Sequence, residues 1–174
     1  MSAIPYTQTA PAAVKKPGVL TAGFFSALLS VLAGVAGALV IFIGGKEMVA
    51  ELAKDYFGAE LGISENALGS AMYAEVFAEA YDKLAFRAGL VVFFCVLALI
   101  ATLLLRNGGL GGRVFFTVVF PLTVFAWWVV LRDMAPMGTK IAGYAGITAG
   151  LIAVVLIWLP AVNKYNEARK ALKR

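Results

Sequence analysis

The feature that most limits what this chain can become is a set of four apolar runs, at 19–43, 88–105, 114–131 and 141–159, with no ionisable residue in their interiors. A helix needs about 20 predominantly apolar residues to cross about 30 Å of hydrocarbon. Each run approaches or exceeds that length, so each is read as a transmembrane helix. Composition agrees. Apolar residues make up 61% of the 174-residue chain and charged residues 14%, against about 45–50% and about 25% in a soluble domain. There is too little polar surface for a water-soluble globule. Intrinsic disorder, a disulfide-stapled secreted domain (there is one Cys) and a basic nucleic-acid-binding domain are excluded on the same ground.

Lys15-Lys16-Pro17-Gly18, Gly44-Gly45-Lys46, Arg87, Arg106-Asn107-Gly108-Gly109, Gly111-Gly112-Arg113, Arg132-Asp133, Lys140 and Pro160 bound the runs, the usual punctuation of membrane helices. Lys15-Lys16, the first apolar stretch and Ala36-Gly37-Ala38 imitate the three regions of a signal peptide. The apolar character continues through residues 40–43, however, which places the small triplet inside a full span and predicts that it stays uncleaved. Orientation follows from Lys and Arg in the short connections. With both termini in the cytoplasm, the inside carries nine of them and the outside six. Nine of the ten carboxylates fall outside, so the net charge of +5 separates into about +8 inside and about −3 outside. The expected fold class is all-α: a polytopic membrane protein with four transmembrane helices and an extracytoplasmic helical segment between the first and second spans.

That segment, 44–87, carries its own periodicity. Met48, Val49, Leu52, Tyr56 and Phe57 recur at helical steps among charged residues, predicting an amphipathic helix over 46–57 that ends at Gly58 and Gly62. Ser64-Glu65-Asn66 offers an N-cap for a second helix. Tyr73, Val76, Phe77, Tyr81 and Leu84 then form another apolar face, and no breaker separates this helix from the second span. One helix from near Ser70 to Leu105 is expected. Across the two outer helices, Tyr56, Phe57, Tyr73, Phe77 and Tyr81 either lie on the membrane surface or bundle, or dock on a partner.

Small residues mark two spans. Ala22, Ser26, Ser30, Gly34 and Ala38 recur at every fourth position in the first, and Ala142, Gly146 and Gly150 do so in the fourth. Such seams let helices approach closely in lipid, so the first span is expected against the fourth, the competing arrangement turning one seam outward. The third span is aromatic and contains Pro121, predicting a kink, a partner role for the Thr117 hydroxyl, and a groove suited to an acyl or isoprenoid tail. Trp127 and Trp128 at one edge and Trp158 at the other read as interface anchors.

The spans hold hydroxyls but no carboxylate, amine or imidazole. Hydroxyls in membrane helices usually bond back to their own backbone, and pumps and transporters usually place ionisable groups mid-membrane. With no His in the chain and one Cys, Cys95, read as a packing residue, no cofactor or metal is expected. Asp133 beside Arg132 reads as an ion pair, and no enzyme activity is expected. The 1–18 arm reads as disordered until it meets a partner. The stretch from Asn163 reads as a short basic helix continuing past Pro160, its Lys/Arg cluster attracted to anionic lipid headgroups.

Lys16-Pro17-Gly18-Val19 and Leu159-Pro160-Ala161-Val162-Asn163-Lys164 frame four spans in a way that resembles small, mostly uncharacterised membrane proteins of actinobacteria. The chain is also similar in size and composition to the small extra subunits of the cytochrome bcc–aa3 respiratory supercomplex. The resemblance implies a plasma-membrane address and an accessory role, and it transfers no functional residue. The long helical outer segment departs from the simplest members. The expected function is a non-catalytic accessory or scaffold subunit packed against other integral membrane proteins. The alternative is a homo-oligomeric pore or small transporter lined by the first span's seam.

Overall fold

The structure, a computed structural model, describes residues 15–61, 71–106, 108–132 and 135–172, with backbone alone for 56–61 and 71–72. These form five helices: α1 (Gly18–Leu61), α2 (Ala71–Leu105), α3 (Leu110–Leu131), α4 (Met137–Ile157) and α5 (Pro160–Ala171). No strand occurs among the described residues. Four of the helices are long and apolar enough to cross a membrane. They pack as a square, α1 against α2 and α4, and α3 against the same two, with α1 and α4 the most extensive pair. Short connections make sequential neighbours antiparallel, the geometry of an up-down bundle.

α1 is two helices joined at Gly45, whose φ of 61° and ψ of −162° are non-helical. That region is open essentially to glycine alone, which is why the break falls at this glycine. The helix then continues through Gly58 to Leu61, so Gly58 does not end it. A single interior glycine costs about 1 kcal/mol relative to alanine, too little to stop a helix. Gly62 and the candidate cap at Ser64-Glu65-Asn66 lie outside the described residues. α2 runs unbroken from Ala71 to Leu105, as its lack of breakers requires.

The span limits shift in three places. α3 begins at Leu110, which draws Arg113 into its first turn, and α4 begins at Met137, which draws in Lys140. At the other end of α4 the expected continuous helix is interrupted. Trp158 leaves the helical region, Leu159 is extended at φ −62° and ψ 146°, and Pro160 starts α5 as a new helix. The physical reason is proline. Its ring disfavours helical backbone in the preceding residue and it lacks an N–H, yet it suits the first position of a helix.

Trp127 forms the centre of the bundle and is 2% exposed. Its ring lies against two glycines: a Cβ on Gly37 would come 2.6 Å from its Cη2, and one on Gly143 would come 2.7 Å from its Cε3. This corrects the reading of Trp127 as an interface anchor; the missing side chains on α1 and α4 make the slot that takes it inward. Trp128, at 59% exposure, and Trp158 do face outward. Below this level Phe116 and Phe120 stack with centroids 6.0 Å apart, Phe120 lying against Gly150. Pro121 is on the outer face of α3, which remains one helix through it. The Thr117 hydroxyl donates to the Arg113 carbonyl at 2.8 Å, so it is not the partner that the proline was expected to require.

Candidate functional site

The small-residue seams meet each other. Ser26 Oγ donates to the Ala149 carbonyl and Ser30 Oγ to the Gly146 carbonyl, each at 2.7 Å, while Thr139 Oγ1 on α4 donates to Gly37 at 3.0 Å. These three hydroxyls bridge helices, unlike Thr102, Thr117, Thr123 and Thr148, which bond four residues back along their own helix. A Cβ on Gly146 would come 3.2 Å from the Ser30 carbonyl, and one on Gly37 would come 3.1 Å from Ala142 Cβ. Gly34 faces Cys95 Sγ on α2. Ala38 is fully buried, whereas Ala22 at the head of the row is exposed and Gly23 faces Ile157 and Leu156 in its place. From Ser26 to Ala38 on α1 and from Ala142 to Gly150 on α4, the two seams therefore face each other or the bundle interior within one chain.

The second half of α1 and the first half of α2 also pack together. Phe77 is 5% exposed and buried with Ala53, with Tyr73 and Ala50 against them. Tyr81 is half-buried on the larger core. Phe77 thus belongs to the inside of this helical pair, because its spacing from Tyr73 and Leu84 puts it on the face turned toward α1. The side chains of Tyr56 and Phe57 lie outside the described residues, as does Asp133. Glu79 and Lys83 pair at 2.7 Å on the exposed side, where water and salt screen the contact.

The concentrated polar chemistry lies at the opposite end, where α3 starts and α4 gives way to α5. Arg113 is 3% exposed. Its Nη1 donates to Asn163 Oδ1 at 2.6 Å and to the Ile157 carbonyl at 3.2 Å, one of the carbonyls that the end of α4 leaves without an intrahelical donor. The cation also complements the negative end of the α4 dipole. Its guanidinium lies 5.3 Å from the centroid of the Trp158 ring, and Trp158 Nε1 donates to Thr117 Oγ1 at 2.9 Å. Arg113 and Trp158 are thereby held by each other and by the break before Pro160. Gly112 makes room beside Arg113, since a Cβ there would come 2.8 Å from the Leu104 backbone.

A cleft of about 470 Å³ opens at this point. On the α3 side it is lined by Gly109, Leu110 and Arg113. On the α5 side it is lined by Asn163, Asn166, Glu167, Arg169 and Lys170. Two donors at the site, Arg113 Nε and Asn166 Nδ2, are buried without a hydrogen-bond partner. The sequence counted Arg113 only as a topological charge. Its one local signal was the pair Gly111-Gly112 before it, which permits close approach; nothing in the spacing joined it to Asn163 or Asn166, 50 and 53 residues away.

Comparisons with family models, with curated proteins and with solved structures find no match. The class is defined by the fold itself: four long apolar helices, a closed interior and charged ends make a multi-pass helical membrane protein.

Proposed function

We propose that this chain is a non-catalytic accessory or scaffold subunit of a larger membrane complex, set in a bacterial plasma membrane with both termini in the cytoplasm. The observation that carries this reading is how the spans divide their side chains. Small residues and Trp127 close the interior, while large apolar side chains stand outward on α1 at Phe25, Leu29, Leu32, Leu39 and Ile43. With exposed Ala36 between Leu32 and Leu39, these positions follow alternating four- and three-residue steps, those with which one helix face meets a second helix. The spans hold no group suited to proton or ion transfer at mid-depth. The resemblance to small respiratory subunits makes an oxidoreductase of the electron-transfer chain the first partner to seek. Affinity purification of the tagged chain in a mild detergent is expected to recover stoichiometric integral membrane partners, and Leu32→Arg is expected to reduce that recovery. A lone monomer in several mild detergents contradicts the reading.

A further inference from the structure

We propose that the cleft between the start of α3 and α5 binds a phosphate oxyanion, as a phospholipid headgroup or as free phosphate. The proposal does not rest on the subunit reading, because the cleft lies within one chain. Three independent observations point to an anion. Arg113 is held almost fully buried beside the cleft with Nε lacking an acceptor, and Asn166 Nδ2 lacks one too. A buried donor without an acceptor is destabilising, and a phosphate offers several acceptor oxygens to an arginine fork. Arg169 and Lys170 add positive charge at the lining, opposed by the single carboxylate of Glu167. The N-cap of the 22-residue α3 is Gly109, with no side-chain cap bond, and Gly109 and Leu110 line the cleft, so the positive end of the α3 dipole lies at its edge.

The volume lies inside the range of about 300–1,000 Å³ usual for small-molecule sites. It accommodates a headgroup rather than a bare ion alone. Leu110, exposed at the lining, and Trp158, exposed beside Arg113, offer apolar surface to acyl chains.

The test uses the full chain, purified and delipidated in a non-ionic detergent, with binding measured by titration calorimetry. The probes are dihexanoyl phosphatidylglycerol, inorganic phosphate and phosphate-free dihexanoylglycerol. Both phosphate compounds are expected to bind and the phosphate-free one is not. Lipid binding at least about tenfold tighter than phosphate assigns the site to headgroups, and comparable affinities assign it to the free ion. Lys170→Gln is expected to weaken binding about tenfold. Lys164→Gln removes the same charge from the same helix away from the cleft and is expected to change it less than about twofold. Arg113→Lys, which keeps the charge but loses the fork, is expected to weaken binding about tenfold or more. It is read only where its melting profile shows a folded chain. Equal losses from Lys164→Gln and Lys170→Gln overturn the proposal in favour of diffuse electrostatic attraction. So do equal binding of the phosphate-free compound and absence of binding by all three.

Discussion

Trp127 and Arg113 are the two side chains whose surroundings differ most from what their sequence positions suggest. A tryptophan near the end of an apolar run and an arginine between two runs are ordinary boundary residues. Only the convergence of Gly37 and Gly143 on the Trp127 ring, and of the Ile157 carbonyl and Asn163 on Arg113, turns them inward. No local periodicity contains that information. Trp127→Ala is expected to lower the thermal midpoint in detergent, with a loss below the about 3–5 kcal/mol found in water-soluble cores. The transfer term shrinks in a solvent as apolar as the core, leaving mainly lost packing. Ser26→Ala with Ser30→Ala removes two interhelical hydrogen bonds and is expected to cost about 1 kcal/mol in the same measurement, at about 0.6 kcal/mol each. Gly37→Leu collides with the Trp127 ring and is expected to destabilise more than the double serine change.

At the scale of elements, the four-residue recurrence of small side chains was legible because close packing needs the same face at every turn. That Ser26 and Ser30 would donate across to α4 was not legible, since a serine hydroxyl reaches its own helix as readily as a neighbour. The helical pair beyond the bundle was legible from its amphipathic steps, and its first break falls at the Gly-Gly pair bordering the first span. Gly45→Ala is expected to strain that joint by about 1–3 kcal/mol. Nothing lies within 4 Å of a Cβ there, so the cost comes from backbone conformation alone. The checking measurement is disulfide formation between Ala53→Cys and Phe77→Cys, in the presence and absence of Gly45→Ala and with Cys95 replaced. Efficient bridging is expected with Gly45 and reduced bridging without it. Proline acts in the same way at the other end: its effect on Leu159 separates α5 from α4, and the separation leaves the Ile157 carbonyl available to Arg113.

For the molecule as a whole, charge is sorted by end. Lys15, Lys16, Arg106, Arg113, Lys164, Arg169 and Lys170 gather at the α3 start with Glu167, while the described carboxylates of α1 and α2 gather at the other end. That charges sit at the ends was readable from sequence, because hydrocarbon excludes them from the spans. The cleft was not, because it depends on how three helix termini converge. Cys95, 1% exposed on α2, is expected to resist a membrane-impermeant maleimide in intact membranes, which makes single-cysteine labelling of both ends interpretable. The central claim is that the α1 and α4 seams close on each other inside one chain. Its most direct measurement is oxidative cross-linking, in native membranes, of a Cys95→Ala chain carrying Ala33→Cys and Gly146→Cys. A Cβ on Gly146 would lie 3.5 Å from Ala33 Cβ, at the short end of the disulfide range of about 3.5–4.5 Å. A fast intrachain bridge that leaves the protein migrating as a monomer is the predicted result; a cross-linked dimer would contradict the account.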